Sequence, residues 1–273
     1  MLTDKQKAQY LNRLGLQNLS DDPKALLTQL HLAHLRHLPF ENLDITFGRT
    51  IELSVTAILY KLLHEQRGGF CYELNGGFYL LLLSLGFKVE LLSARVYGPK
   101  GYGQEFDHLM LRVGINGQDF LADVGFGDSF LMPVPLDGSI SKEGDISYKV
   151  EEQNDYLYLL RQGNDSLWQP QYQFTLTPRK LEDFAKTAIY HQTSPQSSFT
   201  QKTTCSIATM EGRITLSGRR LITTAQGEKS DLVVKSAKEY KVLLDSHFGV
   251  VLPDEFSVNS WFDEGSQRDK AKP

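Results

Sequence analysis

Arg67-Gly68-Gly69-Phe70-Cys71-Tyr72-Glu73-Leu74-Asn75-Gly76-Gly77, running on into Phe78-Tyr79-Leu80-Leu81-Leu82-Leu83, sets one cysteine between a glycine turn and a strongly apolar helix. The glycines before Cys71 permit a tight turn and close backbone approach. The apolar run is shorter than the ~20 residues a bilayer span requires. It therefore reads as a buried helix that ends at Gly86, with Cys71 at its N-terminus. Free N–H groups and the helix dipole favour negative charge there, which is the environment of a reactive thiolate. The alternative is that Cys71 is a small buried hydrophobe, as many free cysteines are.

Outward from this stretch, the chain divides by period. Thr3 and Asp4 cap a helix from Lys5 to Leu14 with Tyr10, Leu11 and Leu14 on one face. Asp22-Pro23 opens a second helix, expected to bury Ala25, Leu26, Leu30, Ala33 and His37, and Pro39 stops it. His31, His34 and His37 recur every three residues and read as surface and boundary histidines. Their spacing drifts around the helix and no HExxH pattern accompanies it, so no metal site is expected. Ser54 to His64 reads as a further amphipathic helix.

From Phe87 the pattern alternates. Phe87 to Tyr97 is a strand, and residues 98–103 form a loop. Asn116-Gly117 between Asp107–Gly114 and Asp119–Gly125 signals a hairpin. Further short strands are expected at 148–150, 156–161, 172–177, 204–209, 213–216, 219–224 and 231–234. Short helices are expected at 181–190 and 238–248, the second ending on Gly249. The polar end, Ser266 to Pro273, reads as mobile. Helices first, then strands, then strands with a helix make an α+β chain of several subdomains, not a βαβ sheet.

The hairpin register brings chemistry together. With Asn116 and Gly117 at the turn centre, Asp123 faces Met110 and Gly125 faces His108. His108 is then the diagonal neighbour of Asp123 on one face, within hydrogen-bonding reach. The two form either a satisfied core pair or a catalytic one in which Asp123 orients His108. With Cys71 this gives Cys, His and Asp in chain order: nucleophile, base and orienter. Gly125 and Gly127 after the strand bring backbone N–H groups to an anion or oxyanion, without the third glycine of a dinucleotide fingerprint. Phe40, Phe70, Phe126 and Phe130 are candidates to line a flat apolar slot, or core.

Composition narrows the classes. The net charge of −4 over 273 residues is mixed along the chain and offers no basic face for nucleic acid. Two cysteines, Cys71 and Cys205, are no disulfide framework and suit a reducing cytoplasm. No CxxC spacing suggests zinc. The opening Met1-Leu2-Thr3-Asp4-Lys5-Gln6 lacks a basic and apolar leader, so neither a signal peptide nor a membrane span is expected. Nothing in the chain specifies an oligomeric state.

Taken together, His37-Leu38-Pro39-Phe40-Glu41-Asn42-Leu43, Arg67–Cys71, Asp107-His108-Leu109, Asp123–Gly127 and Ser194-Pro195-Gln196-Ser197-Ser198-Phe199 resemble the arylamine N-acetyltransferase family, with the short C-terminus of bacterial members. The resemblance implies a helical bundle bearing the cysteine (1–86), an antiparallel β-barrel bearing His and Asp (87–200), and an α/β lid (201–273). It implies a cysteine-protease-like triad of Cys71, His108 and Asp123, and an acceptor pocket at Phe40, Phe126 and Phe199. It also implies approach of acetyl-CoA to Gly125 and Gly127, and to Gly103 of the 99–104 loop. Acetyl would pass from acetyl-CoA to arylamines, arylhydroxylamines or arylhydrazines through an acetyl-cysteine, with no metal. A thiol hydrolase of peptidase or transglutaminase type would use the same triad.

Overall fold

The computed structural model describes residues 1–163, 165–253 and 256–262. The polar end at 266–273 lies outside the described residues. Helices α1 (Asp4–Arg13) and α2 (Pro23–His37) come first, followed by a two-residue strand β1 (Phe40–Glu41) and two short helices, α3 (Leu43–Phe47) and α4 (Val55–Leu59). Thr3 and Gln6 close a capping box on α1, and Asp22 caps α2 ahead of Pro23. The apolar helix is α5 (Cys71–Ser84), with Cys71 as its first residue.

A barrel-like sheet follows: β2 (Lys88–Gly98), β3 (Gly101–Tyr102), β4 (His108–Ile115), β5 (Gln118–Ala122), β6 (Val134–Pro135), β7 (Ser141–Glu143), β8 (Ile146–Gln153), β9 (Tyr156–Gln162) and β10 (Trp168–Phe174). Its strand order is β6-β5-β4-β2-β10-β9-β8-β7, with β3 paired to β2, and every pairing is antiparallel. The hairpin turn is where the dipeptide places it: Asn116 and Gly117 have φ of 51° and 82°, and Leu111 opposes Ala122. That register fixes sidedness. Leu109, Leu111 and Val113 pack with the helices, while Met110 and Leu121 pack inside the barrel.

The remaining elements are α6 (Ala185–Thr193), α7 (Ser198–Gln201), β11 (Thr204–Ala208), β12 (Gly212–Ser217), β13 (Arg220–Ala225), β14 (Glu228–Val233) and α8 (Ala237–Phe248). Gly249 ends α8 at φ 64°. β11 to β14 form an antiparallel meander whose inner edge takes up β1, with Phe40 opposite Ser206. Their core includes Leu216, Tyr240, Leu244 and Phe248.

Three expectations are corrected here. The buried face of α2 carries Leu27, Leu30, His31 and His34, while Ala25 and His37 are exposed. His31 and His34 are therefore core residues: each ring finds a hydrogen bond, His34 with the Tyr10 hydroxyl at 2.9 Å. The helix expected over 54–64 changes at Tyr60 into a wider π turn, Tyr60–His64. That turn accompanies an inward-facing Lys61, which is 4% exposed among carboxylates. Strands β1, β6 and β7 and helix α7 escape sequence reading because two to four residues carry no period.

Candidate active site

Cys71 sits at the first position of α5, 2% exposed, with its backbone N–H among those a helix leaves unpaired. The turn before it is held by charge. Arg67 donates from Nε to Glu41 Oε1 at 3.0 Å and from Nη2 to Asp44 Oδ1 at 3.0 Å. Lys61 Nζ lies 2.8 Å from both Asp44 Oδ2 and Glu73 Oε1. The Phe70 N–H donates to Glu73 Oε2 at 3.1 Å, which caps α5. Burial, partly offset by Lys61, lifts the Glu73 pKa to about 7. Arg67 and Glu73, without an assigned role in the sequence, thus build the turn that presents the cysteine.

His108 begins β4 and Asp123 follows β5, both on the barrel-interior face. His108 Nε2 lies 2.7 Å from Asp123 Oδ2. Asp123 is fully buried, and its other oxygen accepts from Asn75 Nδ2 at 2.9 Å and the Gly125 N–H at 3.0 Å. The Tyr172 hydroxyl donates to Oδ2 at 3.1 Å. Burial opposes charge on His108. The Asp123 carboxylate, its hydrogen bond and Cys71 more than reverse this, taking its pKa up to about 10. Burial acts to raise the Asp123 carboxyl, but His108 and these donors hold it below the usual carboxylate value. The ring is therefore cationic at neutral pH and bonded to Asp123.

Two residues of this site, Asn75 and Tyr172, were not singled out in the sequence, and a third, His31, was read there as a surface or boundary position. Asn75 lies one helical turn beyond Cys71 on the same face of α5. Its amide also donates to Leu109 O at 2.7 Å and accepts from the Val124 N–H at 2.9 Å, tying the cysteine helix to both strands of the hairpin. An asparagine four residues after the cysteine in an otherwise apolar helix was the available signal. Tyr172 comes from β10, too remote in sequence for any spacing argument. His31 accepts from the Asp123 N–H at Nε2 (3.1 Å), and its Nδ1 lies 2.9 Å from Leu131 O. It therefore clamps both ends of the loop 123–131 as a neutral ring. Burial, against those two hydrogen bonds and Asp123, pulls its pKa down to about 4.

The aromatics divide. Phe40 and Phe199 lie 6.2 Å apart between ring centroids, and Phe126 packs edge-on to His108 at 5.1 Å. Phe70 is fully buried and edge-on to Phe199 at 6.1 Å. Phe130 is corrected: it lies fully buried in the barrel core, stacked on His31 at 5.5 Å, and lines no slot. Gly125 backs directly on the cysteine, since a Cβ there would sit 2.7 Å from both Cys71 Cα and Asn75 Nδ2. Gly127, at φ 91°, faces the Phe40 ring. A Cβ on Gly103 would instead meet the Asp107 carboxylate and the Val96 carbonyl. Among the described residues no group of His, Cys, Asp or Glu has metal-holding geometry. No described helix is long and apolar enough to cross a membrane.

This arrangement can form a thioester on Cys71 and pass its acyl group on. An N-acetyltransferase family model matches residues 25–256. Arylamine N-acetyltransferase 1 of Homo sapiens is 32% identical over 277 residues, covering 92% of this chain and 93% of that protein. Among solved structures, an arylamine N-acetyltransferase from Bacillus cereus, reported with a unique Cys-His-Glu catalytic triad, superposes with a TM-score of 0.84 at 27% identity, covering 92% of this chain and all (100%) of that one. The Mycobacterium marinum enzyme in complex with CoA does so with a TM-score of 0.83 at 28% identity, covering 92% of this chain and 94% of that one. With its fold and most of its length matched by these proteins, the chain belongs to the arylamine N-acetyltransferase family.

Proposed function

We propose that this chain carries acetyl from acetyl-CoA to the nitrogen or oxygen of arylamines, arylhydroxylamines or arylhydrazines, by a ping-pong route through acetyl-Cys71. The observation that carries this reading is the buried His108 ring bonded to Asp123, with Cys71 among the groups that favour its cationic form. The Cys71 thiolate, paired with imidazolium, attacks the thioester carbonyl. The Cys71 N–H at the start of α5 donates to the developing oxyanion. The tetrahedral species collapses by breaking the carbon–sulfur bond to CoA, whose sulfur takes the proton of His108. The acceptor nitrogen then attacks acetyl-Cys71, neutral His108 takes a proton from it, and the Cys71 thiolate leaves.

Phe40, Phe126 and Phe199 form the acceptor slot in this reading. A cysteine 2% exposed suits transfer over hydrolysis, because water is held away from the acetyl-cysteine. Gly125 lets the loop after Asp123 close directly on Cys71, and the donor approaches along Gly125 and Gly127 in this reading. The domain division 1–86, 87–200 and 201–273 belongs to the same reading, with β1 of the first part joined edge-on to the sheet of the third. Two free buried cysteines fit a reducing cytoplasm, with small molecules as the partners.

Intact mass measurement after mixing with acetyl-CoA alone tests the route. One acetyl group on Cys71, released on adding an arylamine, is the expected result. Acetyl on Cys205, no adduct, or continuing CoA release beyond one equivalent per chain without amine would refute it.

A further inference from the structure

Of the three rings in the proposed acceptor slot, Phe199 has the weakest local support. Phe40 lies on β1, which is paired into a sheet, and Phe126 packs against His108. Phe199 sits in α7, a helix of only four residues. A single turn does not hold a side chain in place by its own hydrogen bonds. Its placement therefore depends on what grips it from outside. The Phe199 carbonyl accepts from Asn42 Nδ2 at 2.9 Å, and its N–H donates to Ser197 Oγ at 3.2 Å. The ring meets Phe40 at 6.2 Å, Phe70 at 6.1 Å and His191 at 5.1 Å between centroids, edge-on to the last two.

His191, from α6, is the closest of these three rings and has no part in the triad. It is 5% exposed, and Ser197 is 3% exposed. His191 Nε2 lies 3.3 Å from the Asp107 carbonyl oxygen and 3.4 Å from Asp107 Oδ1, and its Nδ1 lies 3.4 Å from Ser197 Oγ. A carbonyl oxygen only accepts, so Nε2 carries a hydrogen. Nδ1 of the neutral ring then accepts from the Ser197 hydroxyl, whose oxygen accepts from the Phe199 N–H. The donors thus run in one direction from Phe199 through Ser197 and His191 to Asp107.

Both ends of this relay meet the site. Asp107 is the residue before His108. Tyr72, the residue after Cys71, packs its ring 6.0 Å from His191 and donates its hydroxyl to the Phe106 carbonyl at 2.7 Å. An apolar side chain would fill the place of His191 without the cost of desolvating an imidazole. What the imidazole adds is direction, because a connected set of buried hydrogen bonds favours one arrangement of the groups it joins.

We infer that His191 is a positioning residue for the acceptor: with Asp107 and Ser197 it fixes the Phe199 wall of the slot relative to His108 and Cys71. The inference rests on the proposed transfer to aromatic acceptors, and it concerns the step in which the amine attacks acetyl-Cys71. A ring-bearing amine needs the wall; a small nucleophile without a ring does not.

The test follows transfer from preformed acetyl-Cys71 to 4-methoxyaniline and to hydrazine, which carries no ring, in wild type, His191→Phe, Ser197→Ala and the double variant. His191→Phe keeps a ring beside Phe199 and removes both hydrogen bonds. Ser197→Ala cuts the same relay one bond later with a smaller change. The expected result is a fivefold or greater fall in the ratio of kcat/KM for 4-methoxyaniline over hydrazine in each single variant, carried by KM for the arylamine, with no further fall in the double variant. Equal losses with both amines, an unchanged ratio, or losses that multiply in the double variant overturn the inference while leaving transfer to arylamines intact. A wild-type acetyl-enzyme that yields acetyl to hydrazine and not to 4-methoxyaniline overturns the aromatic-acceptor reading and the inference together.

Discussion

Replacing Asp123 with Asn changes one atom of the triad and so isolates what its charge does. The Asn carbonyl keeps the place of Oδ1, where Asn75 Nδ2 and the Gly125 N–H both donate. The new NH₂ then lies where Oδ2 was, and donates to His108 Nε2. The ring becomes neutral with its proton on Nδ1, facing Cys71, and has no acceptor left for the thiol proton. In wild type the His108 pKa is raised from 6.5 to about 10, which at ~1.4 kcal/mol per unit is on the order of 5 kcal/mol favouring the cation. Without the carboxylate, and with Cys71 also replaced, only burial remains, so the pKa falls below 6.5. The sign of the linkage follows. A folded value above the unfolded one gives stability that is full below about pH 6.5 and lost as pH rises through about 10. In a Cys71→Ala background, which removes the thiol and its share of the raised pKa, the stability lost to Asp123→Asn should grow by ~1.4 kcal/mol for each unit that pH falls from the His108 pKa of that background, below about 10, to about 6.5. Urea unfolding at several pH values measures this, and NMR titration of His108 reads the same shift directly. With Cys71 present, single-turnover acetylation should fall by about 10³-fold or more. A pH-independent stability difference, or a His108 that still titrates near 10 in the variant, would refute the reasoning.

Other substitutions probe the supports of the site. Arg67→Met leaves Glu41 and Asp44 buried with Lys61 as their sole cation of the pair, and should cost about 3–5 kcal/mol in urea unfolding; a loss under 1 kcal/mol contradicts the role of that cluster. His31→Phe keeps a ring against Phe130 but orphans the Asp123 N–H and Leu131 O, at ~1–3 kcal/mol each. Acetylation of Cys71 should slow by tenfold or more, and an unchanged rate would show that the 123–131 loop needs no clamp. Gly125→Ala drives a methyl into Cys71 Cα and Asn75 Nδ2; it should destabilise by about 1–3 kcal/mol and lower kcat for acetyl transfer. Wild-type kinetics in that variant would mean that the loop and α5 separate freely.

What the sequence made legible follows the reach of its rules. The His108–Asp123 pair was readable because strand parity is strict: one Asn-Gly turn fixes every opposed residue between 108 and 125. Cys71 was readable because a glycine turn and an apolar run mark a helix start. The union of the two was not a local property; it entered through the family resemblance. In the structure Asn75 makes it, by bonding Leu109, Val124 and Asp123 from the turn of α5 below the cysteine. His31 was misread for the opposite reason. A polar residue at a helical position is ordinarily outward, and only partners 92 and 100 residues away, Asp123 and Leu131, make its burial affordable.

The start of α5 stands between two buried ionic systems with opposite demands. Glu73 faces the first, where three carboxylates, Glu41, Asp44 and Glu73, share Lys61 and Arg67. Nothing in that cluster has to change state in a reaction, and every ion there has a partner, so it works as a rigid joint. Cys71 and Asn75 face the second, where His108 must give up and regain a proton in each turnover. Asp123 there spends its second oxygen on the neutral donors Asn75 and Gly125, leaving His108 as its one cationic partner. A second fixed cation beside Asp123 would compete for the carboxylate and weaken its hold on the imidazolium. Segregating the arginine and lysine on the Glu73 side of the helix thus secures the cysteine turn without spoiling the basicity of His108.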